Sequence, residues 1–316
     1  MDNTKNISFI KKWWISIRPF AFPASTMPVI FGTVLAIAYG DASFSFVNFF
    51  LAFLGMVILH SGANILSDIY DYRKGLDEVP NPTSGGIVRG YINMKEAKIA
   101  SFIFLVTGAL IGFYLTYVTG IWLLVIGLVG LFIGVFYTSG TRLALKYNGL
   151  GDFAVFMNFG ILGALGAYYV QTSQLSWIPV LWAVPMSTLV IAILHANNWR
   201  DITSDKKKNI FTVASLLGDK KSLRYYGFLI YGPFIMVLAL ILIPFFLIPG
   251  TDFMPFTFLI TLLALPLAIG LWRKALNRKN PKEPLDFIAL DGATAKLNLA
   301  FGSLCTIALF VHALLQ

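Results

Sequence analysis

The chain has 316 residues, 57% hydrophobic and 12% charged, with a mean hydropathy of +0.76. That composition excludes an ordinary soluble domain and a disordered chain, and apolar runs of about 17–25 residues, the length that crosses a bilayer core, fill most of it. The lone cysteine, Cys305, excludes an intrachain disulfide, and the net charge of +9 is not a nucleic-acid footprint because the basic residues punctuate apolar runs instead of forming one face.

The first 18 residues are polar and basic (Lys5, Lys11, Lys12 and Arg18), and Trp13 and Trp14 suit a membrane interface, which predicts a short amphipathic surface helix. No short apolar core with a small-residue cleavage site opens the chain, so no cleavable signal is expected. Apolar runs follow at 20–39, 46–67, 99–118, 121–138, 153–171, 178–199, 225–248, 255–273 and 297–315. The prediction is an all-α polytopic membrane protein: nine transmembrane helices forming one domain over residues 1–316. Every Lys and Arg falls in or beside the N-terminal arm or the connections near 68–98, 139–152, 200–224 and 274–296, while the opposite loops carry none. The positive-inside rule then sets those five segments and the N-terminus in the cytoplasm.

Two acidic stretches end up on that side. The second span closes on Asn64-Ile-Leu-Ser-Asp68-Ile-Tyr-Asp71, whose Asn64, Asp68 and Asp71 share one helical face by their i, i+4, i+7 spacing. The sixth closes on Asn197-Asn198-Trp-Arg-Asp201-Ile-Thr-Ser-Asp205. Four spans separate them, which predicts a parallel internal repeat of about four helices with a ninth added. The longest basic-side loops follow each stretch, over residues 68–98 and 200–224, and loops of that length are functional or disordered.

Carboxylates clustered with amides suit a hard divalent cation, and Mg²⁺ takes one or two carboxylates together with phosphate oxygens and water. Asp68, Asp71, Asp201, Asp205 and Asn64 are the candidate ligands, with Asn197 and Asn198 beside them. Lys74, Arg89, Lys146, Arg142, Lys206 and Lys208 are candidate partners for the remaining charge of a diphosphate. The bundle below supplies a Phe-, Leu- and Gly-rich interior for an isoprenoid tail, and aromatic faces can stabilise an allylic carbocation. Plainer readings stand beside these. The acids can be helix-end charges, Asn64 and Asn197 interhelical hydrogen-bond donors, the run 206–208 a topology signal, Asp77 a turn residue, and His195 a packing group. An ion or metabolite transporter is a rival class, but transport sites lie near the midplane on broken helices, whereas these acids sit at helix ends.

The residues resemble the UbiA superfamily of intramembrane prenyltransferases, and within it the 1,4-dihydroxy-2-naphthoate polyprenyltransferases of menaquinone synthesis. Asn64, Asp68 and Asp71 match the first family motif; Asn197 or Asn198, Asp201 and Asp205 match the second. Further likeness runs through Arg18-Pro-Phe-Ala-Phe-Pro-Ala-Ser25, Asp71-Tyr-Arg-Lys-Gly75, Gly85-Gly86, Tyr137-Thr-Ser-Gly140, Tyr147-Asn-Gly-Leu-Gly-Asp152 and Ala293-Thr-Ala-Lys-Leu-Asn298. The chain departs from relatives at Ser67, where Asn is common, and in the position of Asp77, six residues past Asp71. The resemblance implies Mg²⁺-dependent transfer of a polyprenyl group from its diphosphate to an aromatic ring, with loss of carbon dioxide when the ring is dihydroxynaphthoate. The other acceptors it allows are 4-hydroxybenzoate, homogentisate, chlorophyllide or haem. It also implies that Tyr137, Arg142 and Asp152 help position diphosphate or acceptor. The setting it implies is a bacterial or archaeal cell membrane, with lipid and no nucleic acid as partner and a site facing the cytoplasm.

Overall fold

A computed structural model describes residues 7–75, 85–138, 144–247, 254–278 and 288–315. It is all-helical. A short helix α1 (Phe9–Ile17) precedes α2 (Pro23–Tyr39), α3 (Phe46–Arg73), α4 (Met94–Thr119) and α5 (Ile121–Thr138). Then come α6 (Gly151–Val155), a π-helical turn (Phe156–Ile161), α7 (Leu162–Thr172), α8 (Ile178–Arg200), α9 (Ile202–Lys207) and α10 (Val213–Leu247), which is broken near its start at Gly218 (φ 70°, ψ 174°). A 3₁₀ stretch (Phe256–Ala264) runs into α11 (Leu265–Leu276), and α12 (Ile288–Leu315) ends the bundle.

Among the described residues, eight helical segments are long and apolar enough to span a membrane. The first of the nine expected spans differs: α1 with its following turn (Phe9–Ala21) meets α2 at a bend of 57°, and the count reaches nine only if that bent pair is one span. The local cause is legible. Arg18 takes a left-handed conformation (φ 55°), which ends α1, and Pro19 and Pro23 each open the next helical piece at a position where a missing N–H costs nothing. The arm thus lies across the end of the bundle, and α2, 17 residues long, enters it.

The core gathers around α8. Two-thirds of its apolar window (67%) is buried, against 6% for α5, so α8 is the central helix and α5 faces outward to lipid. Phe31 of α2, Trp199 of α8, Tyr226 of α10, Phe258 and Phe301 of α12 are fully buried in one cluster. Close helix contact depends on small residues: a Cβ built on Gly32 of α2 would stand 2.2 Å from the Ala164 carbonyl oxygen of α7. Helix α4 starts on a reciprocal cap, Asn93 and Glu96 each accepting from the other's backbone N–H at 2.8 Å.

Candidate active site

The stripe predicted on α3 forms, and it is buried: Asp68 and Asp71 are 2% and 6% exposed. A buried carboxylate is costly unless cations and donors face it. Asp68 is paired with Arg18, brought to it by the left-handed turn that ends α1. Its Oδ2 is buried and accepts no hydrogen bond. Asp71 receives Lys146 Nζ at 2.5 Å and Ser67 Oγ at 3.3 Å on Oδ2, and the Tyr147 hydroxyl at 2.8 Å on Oδ1. Lys146 also donates to Ser67 Oγ at 2.9 Å. Burial alone would depress the Lys146 ammonium, but the Asp71 carboxylate against it outweighs that and holds its pKa above the ordinary value. Lys74 lies over the Tyr147 ring, 3.8 Å from its centroid. Asn64 turns to the arm, where its Nδ2 donates to the Ile17 carbonyl at 2.9 Å. One turn deeper on the same stripe, His60 shares a 2.8 Å hydrogen bond with Ser25 and lies between the rings of Phe22 and Phe159.

The second motif is built at the junction of α8 and α9. Arg200 grips Asp201 in a two-pronged pair, Nε to Oδ1 at 2.9 Å and Nη2 to Oδ2 at 2.7 Å. It also donates to the Asn197 side chain, and reaches Asp291 of α12 at 3.3 Å. The Asn198 carbonyl accepts the Asp201 N–H at 3.2 Å. Asp205, on α9, accepts from Thr212 Oγ1 at 3.3 Å. Burial and then the Asp201 carboxylate push its pKa up to about 7, with Lys146 opposing.

The two motifs are brought together by the segment between them. Asp205 lies within electrostatic reach of Asp71, and Lys146 acts on both. Tyr147 uses its hydroxyl on Asp71 and its carbonyl on the Phe211 N–H (3.1 Å), which fastens the loop after Asp205 to the first motif. Tyr137 packs beside Val155 and Ile193, within electrostatic reach of Lys146, Asp71 and Asp152. Asp152 accepts from the Tyr225 hydroxyl at 3.1 Å on Oδ2, and its Oδ1 is buried without a partner. His195 sits edge-on to Tyr225, with ring centroids 4.8 Å apart, and its Nε2 is 3.3 Å from the Ser222 carbonyl.

Arg89 lies over the Tyr91 ring at 5.7 Å, and the close backbone approach allowed by Gly86 is to α1, where a Cβ would meet Ser16 Oγ at 2.2 Å. Lys206 is exposed and Lys208 half-buried at the end of α9. Arg142 and Asp77 lie outside the described residues. Arg18, Ser67, Tyr147, Arg200 and Asp291 complete the network, and none of them is among the site residues expected from sequence. Arg18 and Tyr147 carried a signal, as the last basic residue before the first apolar run and as the neighbour of Lys146. Asp291 carried none: it meets Arg200 across 91 residues of chain. Among the described residues no three His, Cys, Asp or Glu side chains converge to hold an ion by themselves.

Fold and site define an integral membrane protein, an all-helical bundle with acidic clusters at the ends of α3 and α8 that the turn Leu145–Tyr147 links. Over residues 25–300 the chain matches the UbiA prenyltransferase family; it belongs to that family and is a membrane prenyltransferase. UbiA prenyltransferase domain-containing protein 1 of Danio rerio is 30% identical over 291 residues, covering 91% of this chain and 80% of its own. The 1,4-dihydroxy-2-naphthoate octaprenyltransferase of Bacillus subtilis is 29% identical over 303 residues, covering 94% of this chain and 92% of its own. Among solved structures, the apo form of a UbiA homolog from Aeropyrum pernix K1 superimposes with a TM-score of 0.63 at 18% identity, over 97% of this chain and 99% of that one. A UbiA homolog from Archaeoglobus fulgidus bound to GPP and Mg²⁺ superimposes with a TM-score of 0.55 at 16% identity, over 94% and 99%.

Proposed function

We infer that this enzyme transfers a polyprenyl group from a polyprenyl diphosphate to an aromatic acceptor, 1,4-dihydroxy-2-naphthoate, with release of the ring carboxylate as carbon dioxide and formation of a demethylmenaquinone precursor. The observation that carries the reading is the link between the separate motifs: Lys146 and the Tyr147 hydroxyl hold Asp71, while the Tyr147 carbonyl holds Phe211 on the loop that follows Asp205. The naphthoate acceptor draws support from the Bacillus subtilis relative, which the chain matches over nearly its whole length.

The donor set fits Mg²⁺. It consists of hard oxygens, one of them the buried and unpartnered Oδ2 of Asp68, and Mg²⁺ completes such a set with phosphate oxygens and water. Asp68, Asp71, Asp201 and Asp205, with Asn64, are the residues to hold it; bound there, Mg²⁺ supplies Lewis-acid stabilisation of a departing diphosphate. Arg18 and Lys146, now neutralising Asp68 and Asp71, are the cations placed to meet phosphate oxygens, and Lys74 stands behind Lys146 across the Tyr147 ring. As the allylic C–O bond breaks, negative charge grows on the diphosphate and fixed cations lower the barrier. Tyr137 and Asp152 border the same region and serve to orient the acceptor. The concentration of Lys and Arg in the loops on this side supports an orientation with this end of the bundle towards the cytoplasm.

The test is product mass. Purified enzyme with Mg²⁺ and a polyprenyl diphosphate is offered dihydroxynaphthoate, 4-hydroxybenzoate, homogentisate, chlorophyllide and haem in parallel. A prenylated, decarboxylated naphthoate product is expected; a product with another acceptor alone moves the assignment to that acceptor, and no product from folded protein ends the reading.

A further inference from the structure

Asp291 stands near the start of α12, 3% exposed, and belongs to neither acidic motif. Its Oδ2 accepts from Arg200 Nη1 at 3.3 Å, and its Oδ1 accepts the Gly292 N–H at 2.7 Å. The other edges of the same guanidinium hold Asp201 and Asn197. One buried cation is therefore divided between two carboxylates on different helices. The side chains of Arg200 and Asp291 are 6% and 4% exposed, and that of Asp201 is 38% exposed. Of the two acids that share this guanidinium, Asp201 is the one open enough to meet a further cation.

We propose that Asp291 is a positioning residue for divalent-cation binding at Asp201: by holding one arm of Arg200 it keeps that guanidinium from neutralising Asp201 in full. The proposal rests on the reading above that Asp201 meets Mg²⁺. The guanidinium fork is planar and rigid, so an arm committed to Asp291 fixes where the other two lie. The start of a helix also favours a carboxylate, which suits Asp291 to its place on α12. Without the Asp291 charge, Arg200 and Asp201 form a self-sufficient neutral pair, and an incoming cation must compete with the whole guanidinium.

Mn²⁺, followed by electron paramagnetic resonance of the unbound ion, reports on this site in the detergent-solubilised full chain with no turnover required. Asp291→Asn is expected to weaken Mn²⁺ binding by about 3- to 10-fold, the effect of one charge at partly screened range. Asp291→Glu, which keeps the charge, is expected to stay within about twofold of the unmodified protein. Asp291→Ala carries the same expectation as Asp291→Asn, and melting curves identify the folded variants. A packing role alone predicts the opposite order, with the isosteric Asn harmless and the longer Glu damaging, and that order overturns the proposal, as does unchanged binding by Asp291→Asn. Separately, an Asp201→Ala variant that binds Mn²⁺ like the unmodified protein removes the metal reading itself.

Discussion

The Tyr147 hydroxyl donates to Asp71 at 2.8 Å while the Tyr147 carbonyl accepts the Phe211 N–H at 3.1 Å. A single residue thus ties the carboxylate of the first motif to the loop that follows the second. Tyr147 is also the ring on which Lys74 rests, so three parts of the site depend on where that ring stands. The 3₁₀ turn Leu145–Tyr147 sets this position, placing Lys146 and Tyr147 on Asp71 together.

Tyr147→Phe keeps the ring and removes the donor. A hydrogen bond to a charged group contributes about 1.5–3 kcal/mol. We expect turnover to fall roughly 10-fold, as one such interaction lost in the transition state requires. Little change in melting temperature is expected, because the ring still packs. Steady-state rates beside thermal melts check this; a stability loss that matches the rate loss would show the ring, and not the hydroxyl, to be what matters.

Lys146→Met removes the cation from Asp71 and leaves a buried carboxylate short of a partner. Breaking a buried pair costs about 3–5 kcal/mol, and the partial exposure of this one sets the expectation at the lower end. The melting temperature should fall in metal-free protein and recover in part on adding Mg²⁺, which supplies positive charge to the same oxygens. Turnover should drop by about 100-fold or more, the loss typical of removing a fixed group that stabilises transition-state charge. Melting curves with and without Mg²⁺ decide the first half.

Asp68→Ala and Asp201→Ala, one in each motif, should each abolish turnover while the protein remains folded in size-exclusion chromatography. Normal turnover in either variant would show that the cation site lies elsewhere.

As a ligand in the proposed cation site, Asp205 is expected to make metal binding depend on pH. Its pKa in the folded protein is about 7, against an ordinary carboxyl value of 3.8. A folded-state pKa above the unfolded one means that its contribution to stability is complete below the unfolded value and is lost as pH rises through 7. A divalent cation needs the ionised form, so binding expels the proton below pH 7. Calorimetric titration of Mg²⁺ in two buffers of different ionisation enthalpy should therefore show proton release approaching one per site near pH 6 and little at pH 8. Equal release at both would detach Asp205 from the cation.

Gly32→Ala tests the packing of the bundle. The added Cβ would stand 2.2 Å from the Ala164 carbonyl, and a backbone atom cannot rotate aside. Overpacking of this kind costs about 1–3 kcal/mol, so the variant should melt lower while a folded remainder keeps its affinity for Mg²⁺.

Much of this protein is written locally. Spans of the bilayer's length are apolar runs of that length, and every helix expected over residues 46–315 occurs, because lipid leaves the backbone no alternative to internal hydrogen bonding. The shared face of Asn64, Asp68 and Asp71 follows from helical period alone. What the period cannot say is what each side chain faces. Asn64 turns to the Ile17 carbonyl of the arm, while Asp68 takes Arg18, 50 residues away, and Asp71 takes Lys146, 75 away. The bend of 57° between the arm and α2 decides the Arg18 pairing, and the 3₁₀ turn at Leu145–Tyr147 decides the Lys146 pairing. Asp291 lies in sequence just outside the last apolar run, and only the packing of α12 against α8 makes it a partner of Arg200. The sequence by itself determined the membrane class, the helices and the two acidic motifs, since solvent and periodicity act on neighbouring residues. Which cation neutralises which acid was decided by the tertiary structure, because a buried charge is satisfied by whatever the fold brings within about 4 Å of it, regardless of distance along the chain.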